Sequence, residues 1–209
     1  SDPTPVDTEG DNNLLSVDNQ NVIDILTSMN RADFYHQLYS VEVGNGVDTA
    51  ASTVELWVCD QFKQAQVTTP RNAKTVVSDG ENIWIWDVSD PGYTNFLLTE
   101  DLTFEDVLGL PAFDYLNVLE TAHITEAEYL MLEEGNSETA CIFLATQQEE
   151  DADVRYWISL ETGLLYEADA MNNSTQVYHV QQTAFDLLAS EDEVFSDKFI
   201  LPDGTSIIE

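Results

Sequence analysis

Two cysteines and three histidines are the side chains in this sequence with the widest chemical repertoire, and their spacing matches no reactive arrangement. Cys59 and Cys141 could close a disulfide in an oxidising compartment, but they fall in early and late strand-like runs. Strands lie about 4.8 Å apart, and a disulfide needs Cα atoms within about 7 Å, so buried free thiols are expected. There is no Cys-x-x-Cys and no Cys/His pair at zinc-finger spacing. His36, His123 and His179 are isolated, and neither a Gly-x-Ser-x-Gly elbow nor a Cys–His signature accompanies them. With forty Asp and Glu residues against six Lys and Arg, carboxylate pairs arise by chance and identify no acid/base couple. Asp7 to Asn13 and Asp151 to Asp153 are rich in oxygen ligands, yet lack the central Gly and terminal Glu of a calcium loop. No glycine-rich phosphate loop occurs, and the sequons at Asn172 and Asn173 have meaning only in a glycosylating host. No catalytic residue, metal or cofactor is expected.

The positive signal is aromatic. Trp57, Trp84, Trp86 and Trp157, with Tyr35, Tyr39, Tyr93 and Tyr166, stand in strand-like runs. Apolar pockets lined by such side chains hold acyl chains and other hydrophobic ligands, while the same pattern also builds an ordinary core against a helix. The candidate lining residues are Trp57, Trp84, Trp86, Tyr35 and Tyr93.

These residues must be positioned by strands. Lys74 to Asp87 reads as a hairpin turning at Asp79-Gly80, with Trp84 and Trp86 on one face and Ile83 and Ile85 on the other. A sheet covered on one side shows polar residues on its other face. This hairpin is apolar on both, so both sides must be covered, within a curved or doubly covered sheet. Upstream, Val22, Ile25, Leu26 and Met29 share a helical face, capped by Asp18 or Asn19. Strands follow at Phe34 to Val43, Thr53 to Cys59 and Phe62 to Thr69, and Tyr93 to Leu98 comes after an Asp90-Pro91-Gly92 turn; such sequential strands pair as an antiparallel meander. Thr103 to Asp106 resembles a capping box, Gly109 stops that helix, and Ala112 to Glu120 continues in helical period. Ile124 to Leu132 fits helix or strand, with a hairpin to Thr139–Thr146 favoured by the Glu133-Glu134-Gly135-Asn136 turn. Strands at Val154 to Leu160, Leu164 to Met171 and Thr175 to Phe185 come next, and Phe195 to Ile208 reads as a closing extended segment.

The chain of 209 residues is 43% hydrophobic, enough for one substantial core despite a net charge of -34. That charge repels phosphate backbones and anionic lipid, which excludes nucleic acid as a partner class. No apolar run approaches the roughly 20 residues needed to span a bilayer. Residues 1–13 have the polar, Pro-bearing character of a flexible tether, and residues 14–209 are expected to form a single domain. Such an opening is what a chain freed of its signal segment carries, which would make this an extracytoplasmic domain on a lipid-anchored stalk; the alternative is an ordinary frayed terminus.

Three stretches carry a family resemblance. Val77-Ser-Asp-Gly-Glu-Asn-Ile-Trp-Ile-Trp-Asp87 is similar to an Asp-Gly-x-x-x-Trp-x-Tyr-Asp stretch, Ile158-Ser-Leu-Glu-Thr-Gly-Leu-Leu165 to an Asp-x-x-Thr-Gly-Leu-Pro turn, and Phe195 to Ile208 to a closing Phe-x-x-x-x-Pro-x-Gly-x-x-x-Ile. In these the chain resembles the periplasmic outer-membrane lipoprotein carriers and their envelope-stress-sensor relatives, the LolA-like, LolB-like and RseB-like proteins, among which Gram-positive lipoproteins are the implied kin. The resemblance implies a mainly β, α+β fold: an unclosed, strongly curved antiparallel half-barrel, with short helices covering the concave face. It implies a non-enzymatic extracytoplasmic domain, periplasmic or held at the outer face of the cytoplasmic membrane by an N-terminal anchor. The implied partner is a lipid, lipoprotein or other hydrophobic ligand in the concavity. The alternative is a membrane-tethered protein-interaction or sensor domain whose core is merely packed.

Overall fold

A computed structural model describes residues 16–100, 102–135, 137–147 and 152–208. The tether expected over residues 1–13 lies outside them. Helix α1 (Val22–Ser28) leads into six strands, β1 (Phe34–Gly44), β2 (Thr49–Cys59), β3 (Phe62–Thr68), β4 (Ala73–Ser78), β5 (Asn82–Asp87) and β6 (Asp90–Leu98). A helical link follows, made of α2 (Phe104–Leu108), a 3-10 turn (Pro111–Asp114) and α3 (Tyr115–Leu119). Then come β7 (His123–Glu134), β8 (Ser137–Gln147), β9 (Ala152–Ser159), β10 (Leu165–Asn172), β11 (Thr175–Leu187) and α4 (Val194–Lys198).

The strands form one antiparallel sheet in the order β6-β5-β4-β3-β2-β1-β11-β10-β9-β8-β7. It is two meanders joined where β1 pairs with β11, and among the described residues β6 and β7 remain as free edges. Eleven strands at about 4.8 Å would lie some 50 Å across if flat. Instead, residues from Ile83 on β5 to Ile142 and Leu144 on β8 share a single cluster with the short helices, so the sheet wraps around them without closing.

Strand alternation sorts the side chains. Tyr35, Tyr39 and Val41 on β1 and Val54, Leu56 and Val58 on β2 point inward to that cluster, where α1, α2 and α3 add Val22, Leu26, Phe104, Leu108, Tyr115 and Leu119, all buried. The doubly apolar hairpin is indeed covered twice. Val76, Ile83 and Ile85 join the inner cluster, whereas Val77 and Trp86 join a second, outer cluster with Phe195 and Phe199.

The expected capping box is present: Thr103 Oγ1 accepts from Asp106 N–H at 3.1 Å and Asp106 Oδ2 accepts from Thr103 N–H at 3.1 Å. The stretch from Ile124 is strand β7, paired along its length with β8 in the favoured hairpin. Two local expectations change. The turn expected at Asp90–Gly92 falls at Val88-Ser89 instead, because the Asp87 carboxylate accepts from Ser89 N–H at 2.8 Å and so closes the chain two residues earlier. The closing segment is not extended throughout. Phe195 and Phe199 sit four residues apart, and burying both on one helical face makes Val194–Lys198 helical.

Candidate functional site

The inner hollow is tied shut at one turn. Gly163, between β9 and β10, has φ +68°, and a Cβ there would lie 2.5 Å from the Asn30 carbonyl oxygen and 3.0 Å from Arg31 Cγ. Its carbonyl accepts from the Tyr115 hydroxyl at 2.7 Å, and Ala32 N–H donates to the Thr162 carbonyl at 3.0 Å. Arg31 lies over the Tyr115 ring, 5.1 Å from its centroid. The glycine of the Thr162-Gly163-Leu164 motif thus lets the α1–β1 connection, helix α3 and the late hairpin meet at one point. Two polar groups inside are partnered: the Tyr39 hydroxyl donates to Leu165 C=O at 2.6 Å, and Gln37 Nε2 donates to Gln182 Oε1 at 2.6 Å. The buried Tyr178 hydroxyl, packed against the same cluster, has no hydrogen-bond partner among the described residues.

The five candidate lining residues do not come together. Tyr35 alone of them faces the helices, buried, its ring 5.8 Å from Phe185, and burial pushes its hydroxyl pKa up. Trp57 lies between inward-facing Leu56 and Val58 and therefore points outward. It stacks on His36 at 3.9 Å, with Lys198 Nζ of α4 4.6 Å from its ring centroid, and its buried Nε1 has no hydrogen-bond partner among the described residues. Trp84 and Trp86 also face outward, opposite Val77 and Thr75 on β4. Trp86 packs into the outer cluster, and Trp84 meets Phe96 edge-on at 5.8 Å. Tyr93 is on edge strand β6. The expected placement of the three tryptophans in the hollow is thereby corrected, for the two-residue period assigns the hollow to their neighbours.

The histidines and cysteines have structural surroundings. His36 bridges Glu55 on β2, at 3.0 Å, and Asp186 on β11, at 3.2 Å; His179 on β11 reaches Glu167 on β10 at 2.8 Å. Cys59 and Cys141 are free thiols with β1, β11, β10 and β9 between their strands. Burial pushes the Cys141 thiol up to about 12. A cleft of about 200 Å³ holds Arg31, Lys63, Glu105 and Asp114. Burial, followed by the charge of Glu105, raises the Asp114 pKa. Glu105 is itself engaged by Lys63, so this cleft's charges fasten α2 to β3. Among the described residues no group of three or more His, Cys, Asp or Glu is placed to hold a metal ion, and no helix is long and apolar enough to cross a membrane.

The open surface is at the β5–β6 hairpin. Tyr93, Phe96 and Leu98 are 80%, 55% and 45% exposed, and a groove of about 360 Å³ runs between Trp84, Thr94 and Phe96 on one side and Leu201-Pro202-Asp203 on the other. Sequence reading passed over Phe96, Leu98 and Leu201. The usable signal was charge: 22% of the chain is charged, yet no residue from Pro91 to Thr99 is.

An open antiparallel sheet wrapped around a helical plug, with an apolar free edge among the described residues, defines this protein as an open-sheet α+β domain. No family model and no curated protein matches the sequence. Solved structures do match. MucB aligns with a TM-score of 0.53 and 14% identity, over 84% of this chain and 61% of MucB. The Pseudomonas aeruginosa MucA/MucB complex gives 0.45 and 12%, over 77% of this chain and 54% of the other. A LolA superfamily protein from Nitrosomonas europaea gives 0.38 and 9%, over 83% and 95%. This chain spans less than two thirds of MucB. The resemblance read in the sequence holds as a likeness of fold to MucB.

Proposed function

We propose that this chain is a non-enzymatic, extracytoplasmic protein-interaction domain of the envelope-sensing kind, with a packed hollow and an external binding surface. The observation carrying this reading is the contrast between a filled interior and the exposed β6 edge, uncharged from Pro91 to Thr99. An acyl chain in the hollow would have to displace Val22, Leu26, Phe104, Leu108, Tyr115 and Leu119. At about 1.5–3 kcal/mol for each exposed side chain, that displacement costs on the order of 10 kcal/mol, comparable with the stability of a whole domain. The ligand-carrier reading of the same fold therefore requires a ligand that repays most of the folding energy. The fold shared with MucB supports an extracytoplasmic setting.

Site-specific photo-crosslinking tests the reading. Benzoylphenylalanine in place of Tyr93 or Phe96, in cells, is expected to give one discrete protein adduct, while the same probe at Met131 on the other edge gives none. Lipid adducts from a probe at Leu26 or Phe104 would overturn it in favour of a carrier.

A further inference from the structure

The two free edges of the sheet are protected very differently. Edge β7 carries Glu126, Glu128, Glu133 and Glu134, all exposed, and inherits the charge guard by which sheets avoid pairing with other chains. Edge β6 has no such guard. From Pro91 to Thr99 it presents Tyr93, Thr94, Asn95, Phe96, Leu97 and Leu98, pairing with β5 on one side and, among the described residues, with no strand on the other. Phe96 lies opposite Trp84, and both edge the groove closed by Leu201, Pro202 and Asp203. Alternate side chains of an added strand would drop into that groove while its backbone completes the sheet.

Charge selects the occupant. A second copy brings another -34 to an edge already flanked by Glu81, Asp87, Asp90 and Asp203, so self-pairing is opposed by like-charge repulsion. Hydrogen bonds from Thr205 hold the Asp203 carboxyl below the usual range, which keeps the groove negative. Resting on the interaction reading above, we infer that edge β6 binds an extended segment of another protein in which apolar residues alternate with Lys or Arg, adding a twelfth strand beside the sheet's eleven. The apolar residues fill the Trp84–Phe96 groove, and the basic ones meet the surrounding carboxylates.

The probe is a blocked, fluorescein-labelled peptide of about ten alternating Val and Lys residues, a typical strand length or somewhat more, titrated by anisotropy against the full chain. Saturable binding is expected, weakened about tenfold or more between roughly 0.05 and 0.5 M salt and by Phe96→Lys. Met131→Lys on the opposite edge should leave it unchanged, and hydrogen exchange should slow in Tyr93–Leu98. A thermal melt monitors folding of Phe96→Lys, with Thr94→Lys as a second, milder guard that must also weaken binding. The inference is overturned by absence of binding, by equal binding of an alternating Val/Glu peptide, by binding indifferent to both guards, or by a β6-dependent homodimer in light scattering. Failure of the peptide alongside a discrete protein adduct at Tyr93 would sink the cationic-strand assignment alone. Occupation of the hollow by lipid would sink the interaction reading itself.

Discussion

Replacing Gly163 by Ala tests whether the late hairpin locks the helical plug to the sheet, and Gly109→Ala supplies its control. The two glycines have nearly the same backbone, φ +68° and +69°, but a Cβ at Gly109 meets nothing within 4 Å whereas one at Gly163 meets the Asn30 oxygen at 2.5 Å. The conformational cost of about 1 kcal/mol for a side chain in the left-handed region is therefore common to both and cancels in the comparison. What remains is steric. The 30–31 segment must retreat by several tenths of an ångström, which loosens Ala32 N–H to Thr162 C=O and the Tyr115 hydroxyl to Gly163 C=O. Overpacking and two weakened hydrogen bonds together give an excess destabilisation of about 2–4 kcal/mol for Gly163→Ala over Gly109→Ala. Urea unfolding followed by tryptophan fluorescence measures it, at constant m-value. An excess below about 0.5 kcal/mol, within the additivity error of such comparisons, would refute the idea that this turn registers the plug.

Other outcomes follow from the same geometry. Phe199, fully buried between Phe62 and Phe195, should cost about 3–5 kcal/mol in urea unfolding when cut to Ala, since α4 covers the outside of the hairpin. Asp114 holds its proton more tightly folded than unfolded, so its contribution to stability falls as pH rises from the unfolded carboxylate range through its raised folded pKa. Asp114→Asn should accordingly stabilise the protein at pH 7 and lose that advantage in acid, as read by parallel unfolding curves. Arg155 donates two hydrogen bonds to the buried Asp169 carboxylate. Removing it by Arg155→Ala should cost about 1–3 kcal/mol, less than a fully buried pair because the guanidinium is partly solvated. Cys141, buried and with its thiol pushed up to about 12, should resist iodoacetamide until the protein unfolds, as peptide mass mapping would detect.

Most of the fold could be read from alternation and turn chemistry. Lys74–Asp87 showed that both faces of its sheet are covered, and Thr103–Asp106 with Gly109 marked α2, because these signals are local. Assigning the two faces required non-local knowledge. Whether Trp84 or Ile85 turns inward depends on which side the helices occupy, and nothing within the hairpin encodes that. The cover on the outer face came from α4, more than a hundred residues downstream of β5, where the pair Phe195 and Phe199 was a helical signal overlooked in a segment read as extended. The exposed apolar edge went unnoticed because it is marked by missing charge rather than by any motif. Only the strand order reveals that Pro91–Thr99 lies at the sheet's rim while the Glu-bearing β7 forms the other.

The central claim is that the hollow is core and not a ligand site. Hydrogen exchange of the amides in α1, α2 and α3 with and without excess myristate, paired with native mass spectrometry, tests it most directly. The account predicts unchanged protection and the mass of the bare chain. A stoichiometric myristate adduct with deprotection of those helices would contradict it.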